Sequence, residues 1–157
     1  SHEIAIEMLE TAVADPTLPS GDTVEVQSIA ALDALIGRKT GIPEMVNGQW
    51  ELQHRYVNFT RSGISISLMY VNAADAQQTI VGVINLISNP QYMMLSFEQS
   101  YEGTLQQFDG LNFYITENIN KPVALWQGDD KLLLFSGRTS QEEVTSLLRT
   151  IIREIGE

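Results

Sequence analysis

Six apolar residues near the C-terminus, Val144, Leu147, Leu148, Ile151, Ile152 and Ile155, recur at the spacing of one helix face. Just upstream stands Thr139-Ser140-Gln141-Glu142-Glu143. Either Thr139 with Glu142 or Ser140 with Glu143 fits a capping box, in which a hydroxyl and a carboxylate satisfy orphan backbone N–H groups. Both glutamates fall in the first turn, where the helix dipole favours negative charge. Before the cap, Val123 to Gln127 and Lys131 to Ser136 are apolar runs separated by Gly128-Asp129-Asp130. That short Gly/Asp link predicts a hairpin. The helical stripe needs a partner surface, and this hairpin is the nearest one.

From the other end, Glu3 to Ala14 reads as a short helix stopped by Asp15-Pro16, because the residue before proline is pushed out of helical geometry. A connector, 16 to 22, and a short extended piece, Thr23 to Gln27, follow. Ser28 predicts the cap of a second helix with Ile29, Leu32, Leu35 and Ile36 on its apolar side, ending near Gly37 to Gly41. Pro43 to Gly48 reads as a turn region.

From Trp50 the period changes to two. Leu52, His54 and Tyr56, then Val57 to Phe59, predict one strand, and Ile64, Ile66, Leu68 and Tyr70 predict the next after a turn at 61 to 63. Asn72 to Gln78 is a polar loop. Thr79 to Ile87, Gln91 to Gln99 and Leu111 to Glu117 read as further strands. Ser100 to Gln107 reads as a loop and Phe108-Asp109-Gly110 as a turn.

Short links between successive strands predict an antiparallel meander, since parallel neighbours need long crossovers. The fold expected is α+β: a meander sheet of about five to seven strands, with two N-terminal helices and one C-terminal helix packed on it. No repeat or low-complexity run divides residues 1–157. They read as a single domain, with 1–27 as N-terminal helix and connector and 28–157 as helix, sheet and C-terminal helix.

Composition narrows the functions. A formal net charge of −11 repels phosphate backbones and anionic lipid headgroups, so neither nucleic acid nor a membrane surface is an expected partner. The charge is uneven: Glu3, Glu7, Glu10, Asp15, Asp22 and Glu25 stand in the first 27 residues without a Lys or Arg. The absence of cysteine excludes disulfides, a thiolate nucleophile and thiolate-held metal. No apolar run approaches the roughly 20 residues that span a bilayer. The opening Ser1-His2-Glu3 lacks methionine and is already in a helical pattern. It reads as a piece of a longer protein, with Ser1 and His2 as tag residues.

Candidate chemistry is sparse. His54 stands between Gln53 and Arg55 in a strand pattern, and no Cys or second His lies near it to complete a metal site. Phe135-Ser136-Gly137 lacks the rest of a nucleophile elbow, and no phosphate-cradling glycine loop is present. Asp129-Asp130 suits a turn better than a calcium loop. Glu98 and Glu102 are a nominal carboxylate pair at a strand end, and Asn58-Phe59-Thr60 matches the glycosylation sequon. Trp50, Trp126, Tyr92, Tyr101, Phe108, Phe113 and Tyr114, with Met93-Met94, are core candidates, one or two of which could line a groove on an uncovered sheet face. No catalytic, metal or cofactor-binding residue is assigned, and no cofactor is expected.

The C-terminal sequence, Val123-Ala124-Leu125-Trp126-Gln127, Gly128-Asp129-Asp130, Lys131 to Gly137 and Thr139 to Val144, resembles a known family. It is similar to the extracytoplasmic C-terminal domain, of unknown function, found in predicted transmembrane anti-sigma factors and related membrane-anchored bacterial proteins. The Phe108-Asp109-Gly110 turn, the 91–100 stretch and the Ser28 to Gly37 helix followed by Ile42-Pro43 extend the similarity. Met45 to Gln49 stands where that family has a proline-rich entry to its first long strand. The resemblance implies a non-catalytic sensor or interaction domain, outside the cytoplasm and anchored through a segment beyond this sequence. Its partner would be a protein or envelope ligand, with no membrane contact by these residues themselves. A lipoprotein-like carrier holding an apolar ligand on its sheet is the alternative. A small hydrolase is the weakest reading, for want of a nucleophile–base pair.

Overall fold

The computed structural model describes residues 23–60, 63–87, 104–108, 111–118 and 121–156. Within them the period-two stretches join one antiparallel sheet. Its strands are β1 (Val24–Glu25), β2 (Met45–Val46), β3 (Trp50–Thr60), β4 (Gly63–Asn72), β5 (Thr79–Ile87), β6 (Thr104–Phe108), β7 (Leu111–Asn118), β8 (Lys121–Gln127) and β9 (Lys131–Gly137). The helices are α1 (Ile29–Ile36) and α2 (Gln141–Ile155). The expected α+β class holds, with seven strands of five or more residues. The first expected helix, Glu3 to Ala14, lies outside the described residues, so one N-terminal helix is described rather than two.

The sheet is not a single meander. Its order is β1-β3-β4-β5-β9-β8-β7-β6, with β2 also on β3. Two meanders, β3-β4-β5 and β6-β7-β8-β9, meet where β5 pairs with β9. The physical reason lies in burial. β5 and the Leu132-Leu133-Leu134-Phe135 run of β9 are the most continuously apolar strands, and such strands belong where both faces are covered. Val57, Ile66, Ile84, Leu133 and Trp126 form one buried row across β3, β4, β5, β9 and β8 on the helix side. On the opposite face Val83, Leu134 and Leu125 form another buried row across the central three strands.

A β-bulge sets the phase of β3. The register shifts between Leu52 and His54, so Trp50 and Leu52 face the core before it, and Arg55 and Val57 after it. That is why the alternation of β3 breaks in mid-strand. Residues 104–107, read as loop, and Phe108, read as the start of a turn, form strand β6, which pairs with β7 with Phe108 opposite Leu111. The turn region after Pro43 holds β2, whose link to β3 includes Asn47 and Gly48, both at positive φ. Asn and Gly are the residues that tolerate it.

Both helices join one core. Ser28 caps α1, its hydroxyl accepting from Ala31 N at 3.0 Å, and Gly37 closes it in the left-handed region. Ile29 and Leu32 are buried, whereas Leu35 is 42% exposed, contrary to the expected stripe. At about 100° per residue, Leu35 projects roughly 90° away from the side shared by Ile29, Leu32 and Ile36. α2 lies over β8 and β9, with Val144, Leu147, Leu148, Ile151 and Ile152 at most 1% exposed. Ser140 is its cap, accepting from Glu143 N at 3.2 Å. Gly41 passes so close to the last turn of α2 that a Cβ there would collide with the Glu154 carbonyl.

Candidate functional site

The sequence candidates do not converge. His54 lies on β3 with its Nδ1 3.5 Å from Glu25 Oε1 and 3.4 Å from the Tyr56 hydroxyl, its ring stacked on that of Tyr56. The trio is a surface contact holding β1 to β3. Burial, helped by the Glu25 charge, raises the Tyr56 hydroxyl above the ordinary tyrosine value. Asp129 and Asp130 are exposed in the β8–β9 turn, where Asp130 pairs with Lys131 Nζ at 3.3 Å. Asn58 is half-buried within β3. Ser136 is buried in β9, and its hydroxyl has no hydrogen-bond partner among the described residues. Among the described residues no group of His, Asp and Glu could hold a metal ion. No described helix is long and apolar enough to cross a membrane.

The aromatics divide in the same way. Trp50 and Trp126 are buried core residues. Phe108 lies in β6, and Phe113 and Tyr114 lie in β7. His2, Tyr92, Met93, Met94, Glu98, Tyr101 and Glu102 lie outside the described residues.

A polar cluster at the sheet margin is structural. Glu44 Oε1 accepts from Ile29 N at 2.6 Å, the first amide of α1, while its other oxygen pairs with Arg55 Nη2. Arg55 also donates to the Leu52 carbonyl at 3.0 Å. Tyr70, fully buried, donates to the Pro43 carbonyl at 2.8 Å. Together these bonds tie the loop after α1 to the sheet.

Two concavities differ in what they can hold. Beneath Arg38, Thr40 and Lys131, against Ile42, Ile66 and Ile84, lies a void of about 10 Å³. That is roughly the space of one water and offers no room for an apolar ligand. The second is an open cleft of about 630 Å³ beside the first half of α2, facing Ile115 of β7. This size is in the range of binding clefts, roughly 300–1,000 Å³.

The cleft follows from helix geometry. Gln141, Glu142, Thr145, Ser146 and Arg149 line it, and at about 100° per residue they cover an arc of roughly 140° beside the buried stripe. Thr145 falls on the border between stripe and polar side. It is 5% exposed, and its hydroxyl has no hydrogen-bond partner among the described residues. Most of the lining both donates and accepts hydrogen bonds, with one carboxylate and one guanidinium added.

No family model, curated protein or solved structure matches this chain. The cleft was missed in the sequence because a polar helix side is ordinarily just solvated. The spacing of residues 141, 145 and 149 was visible. The unpaired Thr145 hydroxyl and the opposing Ile115 were not.

Proposed function

We propose that this chain is a non-catalytic recognition domain, the extracytoplasmic sensor or interaction part of a membrane-anchored bacterial regulator. The observation that carries this reading is the cleft beside α2, an open concavity lined by hydrogen-bonding side chains on a fully packed scaffold. A rigid core behind a polar cleft suits recognition, because little conformational freedom is lost when a partner docks. The capped helix, part of the stretch that carries the resemblance to anti-sigma-factor outer domains, forms the cleft's helix wall. Ligand binding there would change how the anchored protein holds its cytoplasmic partner. The carrier alternative gains no support on the helix side of the sheet, where Ile66, Leu68, Ile84, Leu133 and Phe135 are at most 1% exposed beneath the helices.

Two measurements in the native bacterium test the proposal. Alkaline phosphatase fused after residue 157 in the full-length protein should be active, because that enzyme matures outside the cytoplasm. Removing residues 28–157 from the gene should change transcription of a discrete set of promoters. An inactive fusion together with unchanged transcription would overturn the reading.

A further inference from the structure

We propose that Asn47 is a modification site, whose side chain spontaneously loses its amide by cyclising onto the Gly48 backbone. Asn47 and Gly48 are the central residues of the turn between β2 and β3, closed by the Gln49 amide, which donates to the Val46 carbonyl at 3.0 Å. Both are exposed, and no other asparagine in the sequence is followed by glycine. Glycine matters because it has no side chain to hinder attack by its own nitrogen. That nitrogen has no hydrogen-bond partner among the described residues. A Cβ built at Gly48 would meet nothing within 4 Å, so no neighbour crowds the reacting atoms. In the step itself the Gly48 nitrogen, having lost its proton to solvent, bonds to Asn47 Cγ. The bond from Cγ to the side-chain nitrogen breaks, and ammonia leaves with a proton from water. A water molecule then opens the five-membered imide at either carbonyl. One opening gives aspartate, the other isoaspartate, in which the main chain runs through the former side chain. Water is the sole co-reactant.

The fold sets when this happens. Asn47 has φ 54° and Gly48 φ 63°, the two positive values of a type I′ turn. At such a φ an L-residue is confined to the left-handed region, with ψ of about +30 to +60°. Cyclisation needs the Gly48 nitrogen swung round towards Asn47 Cγ, at a ψ outside that region. The turn must therefore open before the bond can form, so the closed turn protects the site. The two products differ in what they disturb. Aspartate, like asparagine, tolerates the left-handed region and refits the turn. Isoaspartate adds a carbon to the main chain inside the turn and displaces Gln49, whose amide holds Val46 and whose carbonyl accepts from Ala73 N at 2.8 Å. Next along the pair come Val46 opposite Trp50, both buried, and the Leu52 amide on the Glu44 carbonyl at 2.8 Å. Glu44 also holds the first amide of α1, so a change at an exposed turn reaches that helix.

The test is to age the whole chain in mildly alkaline buffer and map it by mass spectrometry after trypsin digestion. The tryptic peptide 40–55 contains Asn47 and no other asparagine. It should gain the mass of OH in place of NH2 before any other asparagine-containing peptide does. Isoaspartate in it should be detected as methyl transfer from S-adenosylmethionine by an isoaspartyl methyltransferase. Unfolding in urea should speed the reaction about tenfold, the factor that matches a local opening of about 1.4 kcal/mol. Asn47→Gly leaves Gly-Gly, a pair that suits the same turn, and should fold and stay unmodified. The isoaspartyl form, separated by chromatography, should melt about 2–4 °C below the unaged chain. Its amide hydrogens at Gln49, Leu52 and Ala73 should exchange faster, whereas Asn47→Asp should match the unaged chain in both respects. Earlier modification at another asparagine, an equal rate in the native chain and in urea, or unchanged exchange in the isoaspartyl form would each overturn the proposal. So would the same mass gain in peptide 40–55 of Asn47→Gly, which would place the reaction on Gln49 or Gln53.

Discussion

The indole Nε1 of Trp50 donates to Glu143 Oε2 at 3.2 Å, joining the first residue of β3 to the first turn of α2 across 93 residues. Trp50 is 1% exposed, so its N–H has no access to water and depends on that carboxylate. Leaving such a donor unpaired costs about 1–3 kcal/mol. Glu143→Ala should therefore lower the urea midpoint clearly, whereas Glu143→Gln, which keeps an acceptor, should lower it much less. The Trp50 indole N–H resonance should move strongly only in the alanine variant. Equal losses in both, with that resonance unmoved, would show the bond to be incidental.

Gly82 faces the ring of Phe135 across the β5–β9 pair, and a Cβ at 82 would overlap ring carbons of that side chain. Phe135 is fully buried, so the ring has nowhere to go without displacing its neighbours. Gly82→Ala should destabilise the chain by about 1–3 kcal/mol, the usual range for overpacking. Phe135→Leu in the same chain should recover part of that loss in a double-mutant cycle. Additive losses would mean that β5 and β9 do not meet at this register.

How much of this was legible depends on the distance over which each feature is decided. Caps and hairpins are local, so Ser28, Ser140 and the Gly128-Asp129-Asp130 link could be read directly. The hydroxyl half of the Ser140–Glu143 cap forms as expected, but the Glu143 carboxylate is turned to Trp50, a choice made by tertiary packing. The bulge at Gln53 shifts the phase of β3 and cannot be placed by alternation alone. β6 is polar enough to read as loop, although Asp109-Gly110 is a recognised hairpin signal. The pairing of β5 with β9 was the least legible feature, because it depends on which strands are buried on both faces. The cleft depends in turn on α2 lying beside β7, so its lining could not be assembled from spacing.

Leu148 lies in the middle of the α2 stripe and is fully buried. Leu148→Ala should cost roughly 2–5 kcal/mol through lost burial and the cavity left behind. Ser140→Ala removes one capping bond and should cost less, about 0.5–2 kcal/mol. Thr139 cannot readily replace that cap, since its hydroxyl donates to Gln78 Oε1 at 3.2 Å. Thermal unfolding of the two variants checks the order. A melting temperature for Leu148→Ala equal to that of the wild type would show α2 to be peripheral to the core.

Tyr70 makes stability depend on alkaline pH. Burial raises its hydroxyl well above the ordinary value of 10.0, the Glu44 carboxylate pushes the same way, and Arg55 opposes them. The neutral form is also the one that donates to the Pro43 carbonyl. With the folded value above the unfolded one, the contribution of Tyr70 is complete below about pH 10 and declines as pH rises towards the folded value. Tyr70→Phe should be less stable than wild type at about pH 8 by roughly 0.5–1.5 kcal/mol, the share of one hydrogen bond. The gap should shrink by about pH 11, because the wild type alone must then hold a buried phenol protonated against the solvent. Urea midpoints of both proteins at the two pH values measure it, and the comparison cancels the titration of every other group, Tyr56 included. A gap that stays constant would mean that Tyr70 reaches water in the folded chain, and that its bond to Pro43 does not close that edge of the core.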